Sequence, residues 1–212
     1  MSHVVLLGDS IFDNASYVPG GPPVIEQVRR GLPAGWKATL AAVDGHTASG
    51  VASQLARVPA GATHLFVSVG GNDALQAASI LREPAATVGD GLATVGAALA
   101  RFRDTYAAML AGVLALGKPT AVCTVYDAVP SQVLVGAAER AALAGFNDII
   151  TRAAVRDGLP LIDLRVLCGD EGDYSPLSPI EPSVGGGAKI ADAICRLVAG
   201  HDFSVRRTVV WV

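Results

Sequence analysis

Cysteine is scarce in this chain of 212 residues. There are three, Cys123, Cys168 and Cys195, an odd number at wide spacing, with no Cys-x-x-Cys pair and no histidine cluster beside them. That pattern suggests neither a disulfide framework nor a zinc site, and no metal or other cofactor is expected. Aromatic residues are only 5% of the chain, so no aromatic platform marks a sugar, lipid or coenzyme A site. Charge is also sparse, 17% of residues with a net value of -3, and the lysines and arginines are scattered. Without a basic face the chain has nothing to attract a phosphate backbone, which excludes nucleic acid as a partner. No uninterrupted apolar run reaches the ~18 residues of a membrane span, and Met1 leads into a strand within three residues, so a soluble, cytoplasmic protein without membrane insertion is expected.

What is present is apolar material. Hydrophobic residues make up 51% of the chain, enough to bury a large core, and the length suits one α/β domain over residues 1–212. No internal repeat, low-complexity tract or linker interrupts it.

The stretch Val4-Val5-Leu6-Leu7 has no polar alternation and reads as a strand buried on both faces, ended by Gly8-Asp9-Ser10. A helix is expected over Val24 to Arg30 and a second strand over Lys37 to Val43, followed by Asp44-Gly45-His46 and a helix from Thr47 or Ser49 to Val58. The third strand, Thr63 to Val69, stops at Gly70-Gly71-Asn72-Asp73. Helical spacing then runs from Ala85 to Leu116 with a break near Gly89 to Gly91. A fourth strand over Thr120 to Val125 ends at Tyr126 to Pro130; a helix over Val135 to Asp157, a fifth strand over Leu159 to Leu164 and a helix from Pro182 or Ser183 to Ala199 complete the alternation. Alternating strands and helices imply a parallel sheet of about five strands in a three-layer α/β/α sandwich. The tail, residues 200–212, is either an added edge strand or a contact in a homo-oligomer.

Three strand ends carry special residues. In an open α/β sheet the carboxyl ends of the strands share one edge, so Ser10, Gly45 and Asn72 are expected to converge there. A serine hydroxyl at that edge is either a turn and helix cap or a nucleophile. As a nucleophile it needs donors aimed at the oxygen that becomes negative, and the backbone N–H groups of Ser10 and Gly45 with the Asn72 amide supply three. Asp9 and Asp73 flank these groups as supporting acids.

This set resembles the SGNH (GDSL-type) hydrolase family, whose fold is a flavodoxin-like α/β/α sandwich. Members carry Gly-Asp-Ser after the first strand, glycine after the second, Gly-x-Asn-Asp after the third and Asp-x-x-His before the last helix. The first three blocks stand here at Gly8 to Ser10, Gly45 and Gly70 to Asp73. The resemblance implies hydrolysis of a small-molecule acyl ester, or acyl transfer, with Ser10 as nucleophile and Ser10, Gly45 and Asn72 as the oxyanion hole.

The fourth block departs from the family. In Ser178-Pro179-Ile180-Glu181-Pro182-Ser183, serine takes the aspartate's place and glutamate the histidine's. By alignment Glu181 is the leading base, with help from Ser178. A glutamate's ordinary pKa of about 4.3 makes it a weak acceptor, lowered further by a helix amino end and raised by desolvation. Glu181 reads equally as the acid of a helix-start motif beside Ser183. Among the four histidines, His3, His64 and His201 belong to the far edge, leaving His46 as the alternative base. Asp13, Asp173 or a water are the remaining candidates. The missing Asp-x-x-His also motivates a competing reading, a weakened relative that binds a ligand or partner in the same cleft. A flavodoxin-like nucleotide binder fits less well, because no glycine-rich phosphate loop is present.

Overall fold

The structure, a computed structural model, describes residues 2–127 and 136–212. The expected ends at Ala128 to Pro130 and Val135 lie outside the described residues. Six parallel strands run in the order β2-β1-β3-β4-β5-β6: β1 His3–Gly8, β2 Lys37–Leu40, β3 His64–Ser68, β4 Thr120–Cys123, β5 Leu161–Ile162 and β6 Val210–Trp211. The tail therefore supplies an edge strand, and among the described residues the sheet has six strands rather than about five. Helices α1 Val24–Gly31, α2 Val51–Leu55, α3 Gly71–Ala77, α4 Val88–Leu114, α5 Ala137–Asp157, α6 Leu164–Leu167 and α7 Val184–Gly200 cover both faces.

The unbroken apolar run of β1 is explained by this sandwich. Successive side chains of a strand point to opposite faces. Val4 and Leu6 join Phe66, Cys123 and Ile162 against α1 and α7, while Val5 and Leu7 join Leu65, Val67 and Val122 against α2, α4 and α5. All four β1 residues are fully buried.

Two local expectations are corrected. The Ala-rich segment does not break near Gly89 to Gly91: α4 starts there, and a capping box holds its first turn, with Thr87 Oγ1 accepting from Asp90 N–H and the Asp90 carboxylate accepting from Thr87 N–H. Gly70 to Asp73, expected as a strand end, instead opens a helix: Gly71–Ala77 forms α3 and a 3-10 turn, Ala78–Arg82, follows. The third and fifth strands are shorter than expected, and the second ends at Leu40 because the chain turns at Ala41 and Ala42, whose N–H groups both reach Leu6 O.

The chain steps outward from β1 to β2 and then returns past β1 to β3. The strand order reverses between β1 and β3, which opens a crevice at their carboxyl ends. Ser10 leaves β1 on one side of it, and Asn72 leaves β3 on the other.

Candidate functional site

Gly8 sets the position of Ser10. Its φ is +128°, and a Cβ there would lie 1.8 Å from Ser68 O, so only glycine permits β1 to run this close to β3. Asp9 N–H then donates to Ser68 O at 3.1 Å, and the Asp9 carboxylate accepts from Ile11 N–H at 3.1 Å. Ser10 is 6% exposed, and its hydroxyl donates to Glu181 Oε1 at 3.0 Å. The serine and the glutamate, 171 residues apart in sequence, meet.

Glu181 is 5% exposed, and its Oε2 is buried without a hydrogen-bond partner. Burial pushes its carboxyl up to about 7, partly offset by the Ser10 hydroxyl, with Asp44 raising it further. The helix-start role falls to Ser183, whose Oγ accepts from Gly186 N–H at 3.1 Å. Asp9 behaves similarly: burial lifts it to about 8 against its Ile11 hydrogen bond, and Glu181 and Asp73 raise it further.

The segment carrying Glu181 is tied down along its length. Ser175 N–H donates to Glu181 O at 2.8 Å, Tyr126 Oη donates to Ile180 O at 2.5 Å, and Asn14 Nδ2 donates to Pro182 O at 3.2 Å. Asn14, fully buried, also accepts from Val24 N–H at 2.9 Å, so one side chain joins α1, the turn after Ser10 and the Glu181 segment. Ser178 contributes its carbonyl, which accepts from Glu181 N–H at 3.0 Å. Its hydroxyl does not meet the unpartnered Glu181 Oε2.

Asn72 and Asp73 sit in the first turn of α3 and face the loop after β2. Asn72 Nδ2 donates to His46 O at 3.0 Å, and Ala48 N–H donates to the Asp73 carboxylate at 2.9 Å. Asp73 is therefore a tie between loops, its carboxyl raised by burial against that hydrogen bond. Gly45, with φ +78°, leaves open space where a side chain would stand, and the Asn72 bond to the next residue's carbonyl fixes this turn beside α3.

The His46 ring is engaged by Gln54. Its Nδ1 meets Gln54 Nε2 at 3.1 Å, and Gln54 also grips Gly8 through both backbone groups, at 2.8 and 2.7 Å. Gln54, wholly buried on α2, was missed in the sequence; the signal was an amide on the apolar face that begins with Val51. The other histidines lie at the opposite edge. His3 Nε2 meets Thr39, His64 stacks on Trp36 and Phe203, and His201 packs on Phe203 and Trp211. Asp13 accepts from Asp44 N–H, and Asp173 pairs with Lys189 at 2.8 Å, so both are engaged elsewhere. Among the described residues no group of His, Cys, Asp or Glu is placed to hold a metal ion, and no helix is long and apolar enough to cross a membrane.

Ser10, Asn72 and Glu181 line a cavity of about 180 Å³. The arrangement offers a buried hydroxyl, a carboxylate to receive its proton and an amide donor across the crevice.

The chain matches the model of the GDSL-like lipase/acylhydrolase family over residues 6–184. No curated protein matches it. Among solved structures, an extracellular lipase from Streptomyces rimosus is 19% identical and superposes with a TM-score of 0.65, covering 95% of this chain and 100% of that one. A phospholipase A1 from Streptomyces albidoflavus is 16% identical, with a TM-score of 0.64 over 95% and 99% of the two chains. A histidine-to-alanine catalytic mutant of an acetylxylan esterase from Geobacillus stearothermophilus is 16% identical, with a TM-score of 0.66 over 95% of each chain.

Proposed function

The chain belongs to the GDSL-like lipase/acylhydrolase family, and from that premise we propose that it hydrolyses a small-molecule acyl ester with Ser10 as nucleophile and Glu181 as general base. The observation that carries this reading is the 3.0 Å hydrogen bond from Ser10 Oγ to Glu181 Oε1. A carboxyl with a pKa of about 7 is half ionised at neutral pH and is a far better acceptor than an ordinary glutamate.

Ser10 Oγ attacks the carbonyl carbon of the ester while its proton passes to Glu181. The Ser10 N–H, the Gly45 N–H and the second proton of Asn72 Nδ2 receive the oxyanion. The carbon–oxygen bond to the alcohol then breaks, and Glu181 returns the proton to the departing alkoxide. Water attacks the acyl-enzyme, gives its proton to Glu181, and Ser10 regains it as the acid leaves. Asp9 acts from behind, its backbone and carboxyl fixing the turn that presents Ser10.

The test is turnover of p-nitrophenyl acetate together with covalent labelling by a fluorophosphonate. The expected result is one label per chain, on Ser10, with turnover and labelling both abolished in Ser10→Ala. Unchanged turnover in that variant would sink the mechanism, and an unlabelled wild-type protein would favour a binding role for the cleft.

A further inference from the structure

The cavity beside Ser10 extends well beyond the space an acetyl group fills. It runs between α3 with its 3-10 turn, α4 and α5, and its wall is aliphatic and aromatic: Leu75, Ala78, Leu81, Val95, Ala98 and Phe146. Its origin lies in the sequence. Alanines stand at Ala74, Ala77, Ala78, Ala98 and Ala142, where larger side chains would fill the space between these helices.

We propose that this cavity is an acyl subsite for a neutral, unbranched chain of about six to eight carbons, the acid half of the ester that Ser10 attacks. This rests on the Ser10 reading. Three observations select the occupant. Ser10 is part of the cavity wall, so a carbonyl held at its Oγ directs one substituent along the cavity. The lining is apolar apart from Asp9, Ser10, Ser68, Asn72, Glu139, Glu181 and the Tyr126 hydroxyl, and Asp9, Glu181 and Glu139 place carboxyl groups along it with no cation among the described lining residues. A chain ending in a carboxylate is therefore rejected. The volume sets the length: an aliphatic cavity of about 150 Å³ takes up benzene, six carbons, and this one measures about 180 Å³.

The test compares kcat/KM for p-nitrophenyl acetate, hexanoate and dodecanoate, with a six-carbon chain bearing a terminal carboxylate as a fourth ester. Each buried methylene is worth about threefold to fourfold, so hexanoate should exceed acetate by tenfold or more, and both dodecanoate and the carboxylated chain should fall below hexanoate. Ala98→Phe, and independently Ala78→Leu on the half-buried 3-10 turn, should each reduce the hexanoate-to-acetate ratio by about tenfold; a ratio within one variant cancels any loss at Ser10. A wild-type ratio near one, with acetate turned over and Ser10 labelled, would overturn the subsite and leave the Ser10 reading standing. If no ester is turned over, calorimetric titration of Ser10→Ala with 2-octanone against acetone decides the subsite without chemistry. Binding of octanone alone, weakened by Ala98→Phe, supports it, and no binding overturns it.

Discussion

Asn72 shows how much of this site depends on single side chains. Its amide donates to His46 O across the gap between α3 and the loop after β2, and in the proposed mechanism its other proton meets the oxyanion. Truncation removes a donor that matters only once negative charge develops, so Asn72→Ala should lower kcat by about 10²–10³ with little change in KM. A fall in KM-derived affinity with kcat intact would place Asn72 in ground-state binding instead. The placement of Ser10, Gly45 and Asn72 at one sheet edge was legible because each follows a strand in a stretch of turn-forming residues. Gln54 and Asn14 were not, because their partners are backbone groups brought close only by the folded sheet. Glu181 was legible as an alignment position, but its elevated pKa follows from burial that no local sequence pattern encodes.

At the scale of elements, the site is an assembly of loops fastened to one another. The Glu181 segment hangs on Tyr126, Ser175 and Asn14, which donate to its consecutive carbonyls at Ile180, Glu181 and Pro182. Asn14→Ala leaves Val24 N–H and Pro182 O buried without partners, at a cost of about 1–3 kcal/mol. For a chain of this size that lowers Tm by about 2–12 °C in a calorimetric scan, and an unchanged Tm would show that the tie carries no stability. The strands and long helices were readable from periodicity. α3 was not, since Gly70-Gly71-Asn72-Asp73 has the composition of a turn, and its helical state depends on the positive φ of Gly70 and the Asp73 tie to Ala48. The start of α4 was misread for a related reason: Gly89 and Gly91 suggest a break, whereas the Thr87 and Asp90 capping box makes them its first turn.

For the whole molecule, two buried carboxyls at one sheet edge link stability to pH. Asp9 and Glu181 have pKa values of about 8 and about 7 in the folded chain, against about 4 when unfolded. The folded state therefore holds protons that the unfolded state has released. The stabilisation is complete below the unfolded values and is lost as pH rises through the folded ones. Asp163 acts in the opposite sense: despite burial, hydrogen bonds from Arg165 and Thr124 keep its carboxyl low, so its contribution disappears in acid. Tm should thus be highest in mild acid and decline between about pH 5 and pH 8, with Asp9→Asn flattening the decline. A Tm that rises across that range would contradict the protonated state of Asp9.

The central claim, that a glutamate activates the serine, is tested most directly by the rate of Ser10 phosphonylation by a fluorophosphonate across pH. The wild-type rate should rise with pH through a midpoint near 7, the pKa of the Glu181 carboxyl. In Glu181→Gln the rate should drop by about 10² or more and lose that midpoint. A Glu181→Gln protein labelled within threefold of the wild-type rate, with the same pH profile, would contradict the account.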